Sequence, residues 1–321
     1  MEYAIGIDVG KNEMVACIRS SNGLAEQTIA FPNTILGLKR FMRQITKQAV
    51  PKETPILLES TGPYHWQSAH LLAEQSWNVR VVNPILTKRM ARHSIRKRKT
   101  DKVDASHIAF LASQGYGYSF VETKAMAYRK ALVRHYWKLK YMLTNSRNHE
   151  KYLKEHRAIA AYTISGFIER QCKRLKSKII DEFSPGNDLR YLDSIPGVTP
   201  LLGATILAEL APLSRFESTE QLIAYAGLDP QIKQSGGKPA TYSKLSKRGS
   251  PLLRKVLYCA AFGSFQRKPF NHYYQAYKAR GLHHIAILCI LERKILRIAV
   301  TLLKRREEFK EEKLGIVDKT D

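Results

Sequence analysis

Four carboxylates, Asp8, Glu59, Asp101 and Asp104, lie where a metal-dependent site acting on a polyanion would need them. Carboxylates are hard oxygen ligands for Mg²⁺, and a pair of bound ions can hold the attacking and leaving oxygens of a phosphodiester exchange. The alternative is four ordinary surface acids. The chain around them has 53 Lys and Arg against 28 Asp and Glu, a formal net charge of +25. A basic protein that keeps acids at strand ends needs them to hold metal against a polyanion, which favours the metal site.

Asp8 and Glu59 each close a short apolar run. Residues 3–9 are β-branched and apolar and are followed by Gly10, and residues 55–59 are followed by a Ser-Thr-Gly-Pro turn signal. Such runs predict buried strands that end at a turn. We therefore expect both carboxylates at one edge of a sheet.

Asp101 and Asp104 open a predicted helix. Residues three apart share one helix face, Thr100 is a candidate N-cap, and acids favour the first turn of a helix. Favourable electrostatics at the helix end is therefore the alternative to a metal role. The basic run immediately before them would bring a phosphate backbone close to the acids; it consists of Arg96, Lys97, Arg98 and Lys99.

Composition limits the class of protein. The 321 residues suffice for two domains, and a hydrophobic fraction of 44% is that of a globular chain. No apolar stretch is long enough to span a bilayer and the N-terminus shows no signal peptide, so we expect a cytoplasmic protein with no membrane partner. Four scattered cysteines predict neither a zinc site nor a disulfide framework. The charge indicates nucleic acid as the partner, with a ribosome-type assembly or a membrane surface as alternatives.

Residues 1–115 are predicted to form an α/β domain. Its elements are expected in this order: strands over residues 3–9, 14–19 and 28–31, a helix over 36–42, a strand over 55–59, a helix near 65–75 and a strand over 79–82, with a hairpin turn at Asn22-Gly23. Three strands joined by hairpins and followed by alternating helix and strand are typical of a ribonuclease H-like fold, which is an analogy at the level of fold.

The rest of the chain is predicted to be mainly helical. Residues 116–188 contain two long helices with one glycine between 124 and 185, which indicates a coiled-coil arm for dimerisation or a plain helical linker. Residues 189–306 form a helical domain, and residues 307–321 a charged, frayed tail.

Two loops of the helical domain suggest phosphate chemistry. Residues 195–200, Ile-Pro-Gly-Val-Thr-Pro, resemble a helix-hairpin-helix element whose amides could hold a phosphate, although such turns also simply join packed helices. Ser235 precedes two glycines between lysines, in a loop that a backbone could approach closely; the alternative is a flexible surface loop. Candidate phosphate contacts follow nearby: Lys238, Lys247, Arg248 and Arg254.

Five strings in this order and spacing resemble the DEDD insertion-sequence transposases, a family that includes bridge-RNA-guided transposases and a pilin-gene invertase. They are Ile5-Gly6-Ile7-Asp8-Val9-Gly10-Lys11, Glu59-Ser60-Thr61-Gly62, Lys99-Thr100-Asp101-Lys102-Val103-Asp104-Ala105, Ser194-Ile195-Pro196-Gly197-Val198 and Tyr225-Ala226-Gly227-Leu228. Each string is weak alone, but together they cover nearly the whole chain apart from the helical middle and the tail.

The resemblance implies a RuvC-like N-terminal domain in which Asp8, Glu59, Asp101 and Asp104 bind Mg²⁺ or Mn²⁺, and a C-terminal transposase domain. It implies that Ser235 is a nucleophile that forms a phosphoserine link to DNA. It also implies a non-coding bridge RNA that pairs with donor and target DNA, and a homo-oligomer, dimer or tetramer, in which the serine of one protomer meets the acids of another. The sequence leaves Ser243, Ser246 and Ser250 open as nucleophiles.

The leading hypothesis is a DNA transposase or recombinase guided by RNA. The alternatives are a site-specific invertase of the same family, a metal-dependent structure-specific endonuclease that uses only the four acids, and a non-enzymatic nucleic-acid-binding protein whose acids are structural.

Overall fold

The computed structural model describes residues 3–20, 26–60, 64–92, 100–156, 162–230 and 245–313. The chain divides into two compact units, residues 1–123 and 124–321. Seven of the candidate residues named above lie outside the described ranges, as does the Asn22-Gly23 turn. The seven are Ser235, Lys238, Ser243 and the four residues of the basic run 96–99.

The first unit contains six strands and four helices in the predicted alternation. They are β1 Tyr3–Val9, β2 Glu13–Ser20, β3 Glu26–Pro32, α1 Ile35–Lys47, β4 Pro55–Glu59, α2 Trp66–Glu74, β5 Asn78–Val82, α3 Pro84–Arg92, α4 Asp101–Ser113 and β6 Tyr118–Ser119. The sequence analysis did not predict β6, whose two residues are too few to leave a periodic signal.

The strands form one mixed sheet in the order β3-β2-β1-β4-β5-β6. β1, β2 and β3 pair antiparallel, whereas β1, β4 and β5 run parallel. Alternate residues of a strand face opposite sides of a sheet. On β1, Ile5 and Ile7 pack with α1 and α2, while Ala4 packs in a separate cluster with α4. Asp8 therefore belongs to the face that α4 covers.

Gly6 allows α4 to lie directly against β1. A Cβ atom at Gly6 would stand 2.0 Å from the amide nitrogen of Ala109 and 2.6 Å from the carbonyl oxygen of Ala105. No side chain fits such a gap. The helix that carries Asp101 and Asp104 is therefore held against the strand that carries Asp8.

The second unit is mainly helical in its described residues. Its helices are α5 Lys124–Glu155, α6 Tyr162–Phe183, α7 Asp188–Asp193, α8 Pro200–Leu210, α9 Thr219–Ala226, α10 Pro251–Ser264, α11 Phe270–Ala279 and α12 His284–Arg305. One core joins α7 to α12 and a second joins α5 and α6 to α8. The two long middle helices are thus confirmed, and they pack in one unit with the helical domain.

Two polar contacts anchor α5 on α8. Arg134 donates two hydrogen bonds to the fully buried carboxylate of Glu209, at 2.7 and 3.1 Å. The indole nitrogen of Trp137 donates to the hydroxyl of Thr205 at 3.0 Å. The base of the long helix is therefore fixed to the domain core.

The Pro196-Gly197 turn joins α7 to α8 and packs against α10. Gly197 has a φ of +91°, and a Cβ there would stand 2.3 Å from the hydroxyl of Ser264. That hydroxyl donates to the carbonyl of Pro196 at 2.6 Å. The turn therefore has a packing role inside the domain.

The start of the predicted frayed tail is anchored. The amide of Phe309 donates to the hydroxyl of Ser194 at 2.8 Å, and the ring of Phe309 stacks on that of Phe270 at 6.2 Å. Arg190 and Glu308 form an ion pair beside them. The expectation of fraying is therefore wrong for residues 307–313, because an aromatic side chain among the charges supplies apolar contact. Within the described ranges no helix has the length and apolar character needed to cross a membrane.

Candidate active site

The sheet brings Asp8 and Glu59 to one edge and one face. β1 and β4 are parallel neighbours, with Gly6 opposite Leu57 and Ile7 opposite Leu58. Continued by one residue, that register sets Asp8 beside Glu59 at the ends of the two strands. Both side chains are half-buried. The sequence prediction of two carboxylates at one sheet edge is confirmed in its placement.

The first turn of α4 adds the other two acids. The hydroxyl of Thr100 accepts a hydrogen bond from the amide of Val103 at 3.4 Å, so the predicted N-cap is present. The amide of Asp104 donates to the carbonyl of Thr100 at 3.0 Å. Asp104 is half-buried and Asp101 is exposed. The positive end of the helix dipole favours both carboxylates.

The three other acids all affect the pKa of Asp8. The pKa of Asp8 is raised from 3.8 to about 6, first by burial and then by the charges of Asp104, Glu59 and Asp101 in that order; a hydrogen bond from the Val9 backbone opposes them. Like charges disfavour one another's ionised forms. The other three predicted carboxylates therefore lie close enough to Asp8 to act on its charge.

Glu59 has a neighbour that the sequence did not indicate. The hydroxyl of Thr87, on α3, donates to the Oε2 atom of Glu59 at 2.6 Å and lies 3.0 Å from the carbonyl of Pro84. Thr87 is buried. A hydrogen bond to a carboxylate restricts its orientation. No motif carries this contact, because it joins two elements 28 residues apart.

The donor set suits a hard divalent cation. In the parts of the chain that the structure describes, no group of three or more His, Cys, Asp and Glu side chains is already arranged to hold a metal ion. A cation placed among the four carboxylates would offset the repulsion that raises the pKa of Asp8, and carboxylate oxygens are the ligands that Mg²⁺ prefers. The residues therefore fit the ion by chemistry and charge.

The base of the loop that carries Ser235 is built by the residues on either side of it. Pro230 and Leu245 pair as an antiparallel bridge, so residues 231–244 begin and end at one place. The amide of Ser246 donates to the carbonyl of Asp229 at 2.8 Å, and that of Ser250 to the carbonyl of Tyr225 at 2.6 Å. These bonds tie the residues that precede the segment 231–244 to those that follow it, and the bond to Tyr225 reaches α9.

Two of the alternative serines have structural partners. The hydroxyl of Ser246 donates to the carboxylate of Asp229. Ser250 caps α10, accepting from the amide of Leu253 at 3.2 Å, and donates to the buried Glu209 at 2.8 Å. Both hydroxyls therefore hold the ends of the loop that contains Ser235.

Three of the predicted phosphate contacts lie beside this base. Lys247 adopts a left-handed φ of 54°, and Arg248 is exposed. Arg254 is half-buried and donates to the carbonyl of Ala226 at 3.0 Å. Its guanidinium thus supports the end of α9, and phosphate contact by these three residues stays a prediction.

A buried carboxylate lies in the same region. Glu292 on α12 is 2% exposed and its Oε2 atom has no hydrogen-bond partner. Burial raises the pKa of Glu292 from 4.5 to about 7, although the charges of Arg254 and Arg293 lower it. The sequence analysis did not single out this residue, since one acid in an apolar helix carries no motif.

Two family models match successive parts of the chain. A DEDD transposase domain of the IS110 type matches residues 5–156, which include the four acids. The model described as "Transposase IS116/IS110/IS902 family" matches residues 189–275, which include both sides of the Ser235 loop. Together with the acidic site, these matches define a DNA transposase, an enzyme that cuts and rejoins DNA. The chain belongs to the IS116/IS110/IS902 transposase family.

Curated relatives agree with this assignment. The chain is 26% identical over 323 residues to a pilin gene-inverting protein of Moraxella lacunata, with 95% of this chain and 97% of that protein covered. It is 31% identical over 141 residues to the mini-circle putative transposase for IS117 of Streptomyces coelicolor, with 43% of this chain and 34% of that protein covered. An uncharacterized insertion element IS116 protein of Streptomyces clavuligerus is 27% identical over 143 residues, 44% of this chain and 36% of that protein.

Proposed function

We propose that this transposase recombines DNA through a covalent phosphoserine intermediate formed by Ser235, with Asp8, Glu59, Asp101 and Asp104 holding Mg²⁺ or Mn²⁺. The observation that carries the acidic half of the proposal is the placement of Asp8 beside Glu59 at the ends of β1 and β4, with α4 directly against β1; the raised pKa of Asp8, about 6, agrees with this placement. The bound ions would supply charge stabilisation for the phosphoryl group. The ordered base of the 231–244 loop supports the serine half.

The covalent step conserves the phosphodiester bond energy. The Oγ atom of Ser235 forms a bond to phosphorus while the bond from phosphorus to the leaving deoxyribose oxygen breaks. The proton that leaves the serine hydroxyl is matched by the proton that the leaving oxygen takes up. The reverse reaction with another DNA end releases the serine and joins the strands. No high-energy cofactor is required.

Finer properties belong to the same proposal. The sheet order and its mixed pairing support a ribonuclease H-like, RuvC-like unit. A bridge RNA would choose donor and target DNA by pairing, which suits a chain without an evident base-reading motif. A homo-oligomer would bring the Ser235 of one protomer to the acids of another, with α5 and α6 as the contact arm. The Pro196-Gly197 turn would contact a phosphate only through groups not used against α10.

Inversion is the second candidate. A relative matched over 95% of this chain is named for inverting a pilin gene. Cutting and rejoining are common to both reactions, so the protein chemistry proposed here serves either. Inverted target sites beside the gene would favour inversion, and a structured non-coding segment would favour guided insertion.

A covalent-trapping assay tests the proposal. Purified protein, Mg²⁺, labelled element-junction DNA and RNA transcribed from the flanking region are mixed and resolved on a denaturing gel. We expect a protein–DNA adduct that is lost in Ser235→Ala and in Asp104→Asn. Ser243→Ala and Glu53→Gln serve as matched controls, a serine of the same loop and an exposed acid of the same unit, and keep the adduct.

The other outcomes separate the alternatives. Adduct lost in Ser243→Ala but kept in Ser235→Ala would reassign the nucleophile. Cleavage without an adduct would establish the endonuclease alternative. Retained binding with neither product, across several flanking RNAs, would favour a binding protein with structural acids.

A further inference from the structure

A basic cleft lies on the first unit, formed by α1, the end of α2 and the segments that follow them. Its volume is about 600 Å³, within the range of sites that enclose a small ligand. Four cations line it: Lys39, Arg43, Lys47 and Lys52. No acidic residue lines it among the residues that the structure describes. An opening with four positive charges and no internal counterion attracts an anion.

The cations on α1 form a row. Lys39, Arg43 and Lys47 are four residues apart, so they share one face of the helix and recur about every 6 Å along its axis. All three side chains are exposed. Arg40 lies on the same helix but does not line the cleft. A regular row of cations suits a ligand whose negative charge also repeats.

The fourth cation is held in place. The Nζ atom of Lys52 donates to the carbonyl of Gln75 at 2.7 Å and lies 4.2 Å from the centre of the Trp77 ring. Trp77 is 96% buried, and its Nε1 atom has no hydrogen-bond partner. Trp77 and Leu71 give the cleft an apolar wall. Because Trp77 exposes only 4% of its surface and Lys52 lies over its ring, the cleft offers charge to a phosphate rather than a ring face to a base.

This cleft lies away from the acids. Lys52 precedes the start of β4, and Trp77 precedes the start of β5, whereas Asp8 and Glu59 lie at the ends of β1 and β4. The cleft is also on the side of the sheet that α1 and α2 cover, and the acids are on the side of α4. The two sites are therefore at opposite edges and opposite faces of one sheet.

We propose that this cleft is a second nucleic-acid site, which binds the phosphodiester backbone of a strand along Lys39, Arg43 and Lys47 and one further phosphate at Lys52. The site would hold nucleic acid on the first unit without touching the acids. It goes beyond the function proposed above, because it requires neither the serine nor a metal. DNA and RNA share this backbone chemistry, so the test uses both.

Binding of fluorescein-labelled 20-nucleotide single strands of DNA and of RNA, in EDTA, measures the site without catalysis. We expect Arg43→Ala/Lys47→Ala to raise Kd about tenfold at 0.15 M salt and to lower the slope of log Kd against log salt by about 1.4. Arg40→Ala on the same helix is the matched control and changes Kd less than twofold. Thermal unfolding of each variant checks that the fold is kept.

The two strands distinguish the source of the phosphate. A loss for RNA alone, for DNA alone or for both supports the proposal and identifies the ligand. Equal affinity of the double variant and the wild type for both strands would overturn it, and so would an equal loss in Arg40→Ala, which would indicate general charge only. Reductive methylation with mass spectrometry should show Lys39, Lys47 and Lys52 protected by the bound strand; full labelling under saturation would also overturn the site.

Discussion

Asp8 and Glu209 are two enclosed carboxylates with opposite electrostatics. Burial and three neighbouring acids raise the pKa of Asp8 to about 6. Burial acts to raise the pKa of Glu209 as well, but hydrogen bonds and charge from Arg134 and a hydrogen bond from Ser250 bring it below its ordinary value. Asp8 lies among other acids, whereas Glu209 is stabilised by hydrogen-bond and charge partners within the protein.

The difference distinguishes a carboxylate proposed to act in function, Asp8, from one that holds the fold together, Glu209. A buried carboxylate is costly without its partners, and Glu209, which is fully buried, joins α5, α8 and the cap of α10 through Arg134 and Ser250. Around Asp8, by contrast, neighbouring acids raise the pKa of the carboxyl group. Under the function proposed above, a bound cation would relieve this repulsion.

The largest effect should come from Asp8→Asn. If Asp8 holds metal as proposed, removing this ligand and its negative charge should lower DNA strand cleavage at least about 10³-fold. The same change reduces repulsion among the remaining acids, so the thermal midpoint should not fall. Single-turnover cleavage and thermal unfolding measure the two effects on one preparation.

Glu53→Gln is the control for this change, because Glu53 is an exposed acid of the same unit. Normal cleavage by Asp8→Asn would remove Asp8 from the site. A large fall in its thermal midpoint would instead make the acids a structural element and reverse the comparison with Glu209.

Arg134→Ala should give the largest change in stability. It removes the two hydrogen bonds that Arg134 donates to the fully buried carboxylate of Glu209, while the Ser250 hydroxyl and the charge of Lys130 remain, so the free energy of unfolding should fall by about 2 to 3 kcal/mol. Arg147→Ala is a matched control on the same helix: the two arginine side chains are 53% and 52% exposed, but Glu169, the partner of Arg147, is 42% exposed.

Loss of the Arg147 pair should cost less than about 1 kcal/mol, because water screens an exposed pair. Urea denaturation of the second unit, followed by Trp137 fluorescence, measures both variants. Equal losses of stability in Arg134→Ala and Arg147→Ala would show that burial of the carboxylate partner does not determine how much the ion pair contributes.

The sequence predicted the acidic site better than the structural network. Asp8, Glu59 and the Thr100 cap follow from strand ends and helix starts, which are local patterns. The contact between Arg134 and Glu209 joins residues 75 apart with no periodic or motif signal. The close approach at Gly6 also depends on α4, about 100 residues away. The spacing of residues therefore predicts features at strand ends and helix starts, but it does not predict packing between elements that are distant in the sequence.

Tertiary packing also explains the misjudged tail. Charge composition alone predicted fraying after residue 306, but Phe309 supplies an apolar contact with Phe270. In the same way, the Pro196-Gly197 turn was recognised from its residues, whereas its packing on Ser264 was not. Sequence patterns predicted the positions of turns and helices, but the residues that pack against them could be identified only from the folded structure.

Glu292→Gln should produce a pH-dependent gain in stability. The pKa of Glu292 is about 7 in the folded protein, against 4.5 ordinarily, because burial disfavours its charge. At a pH between 4.5 and 7, Glu292 keeps its proton in the folded state but has lost it in the unfolded state. The contribution of protonated Glu292 to the free energy of unfolding is therefore fully present below pH 4.5 and is lost as the pH rises through 7.

Glutamine does not ionise, so Glu292→Gln avoids that loss. Its free energy of unfolding should equal that of the wild type near pH 4.5 and exceed it by about 2 kcal/mol at pH 8. Urea denaturation across this range measures the difference. A difference that stayed constant with pH would show that Glu292 ionises in the folded protein as it does in the unfolded chain, which would group it with Glu209.

Thr87→Val should have the smallest effect and tests whether a neutral hydrogen bond contributes to the acidic site. Valine keeps the shape of threonine but cannot donate to Glu59, so cleavage should fall about tenfold and the free energy of unfolding by about 1 kcal/mol. Thr87→Ser keeps the hydroxyl and should retain most of the cleavage activity. If both variants lost activity equally, packing of the threonine methyl group would matter more than the hydrogen bond, and the orientation of Glu59 would depend on the sheet alone.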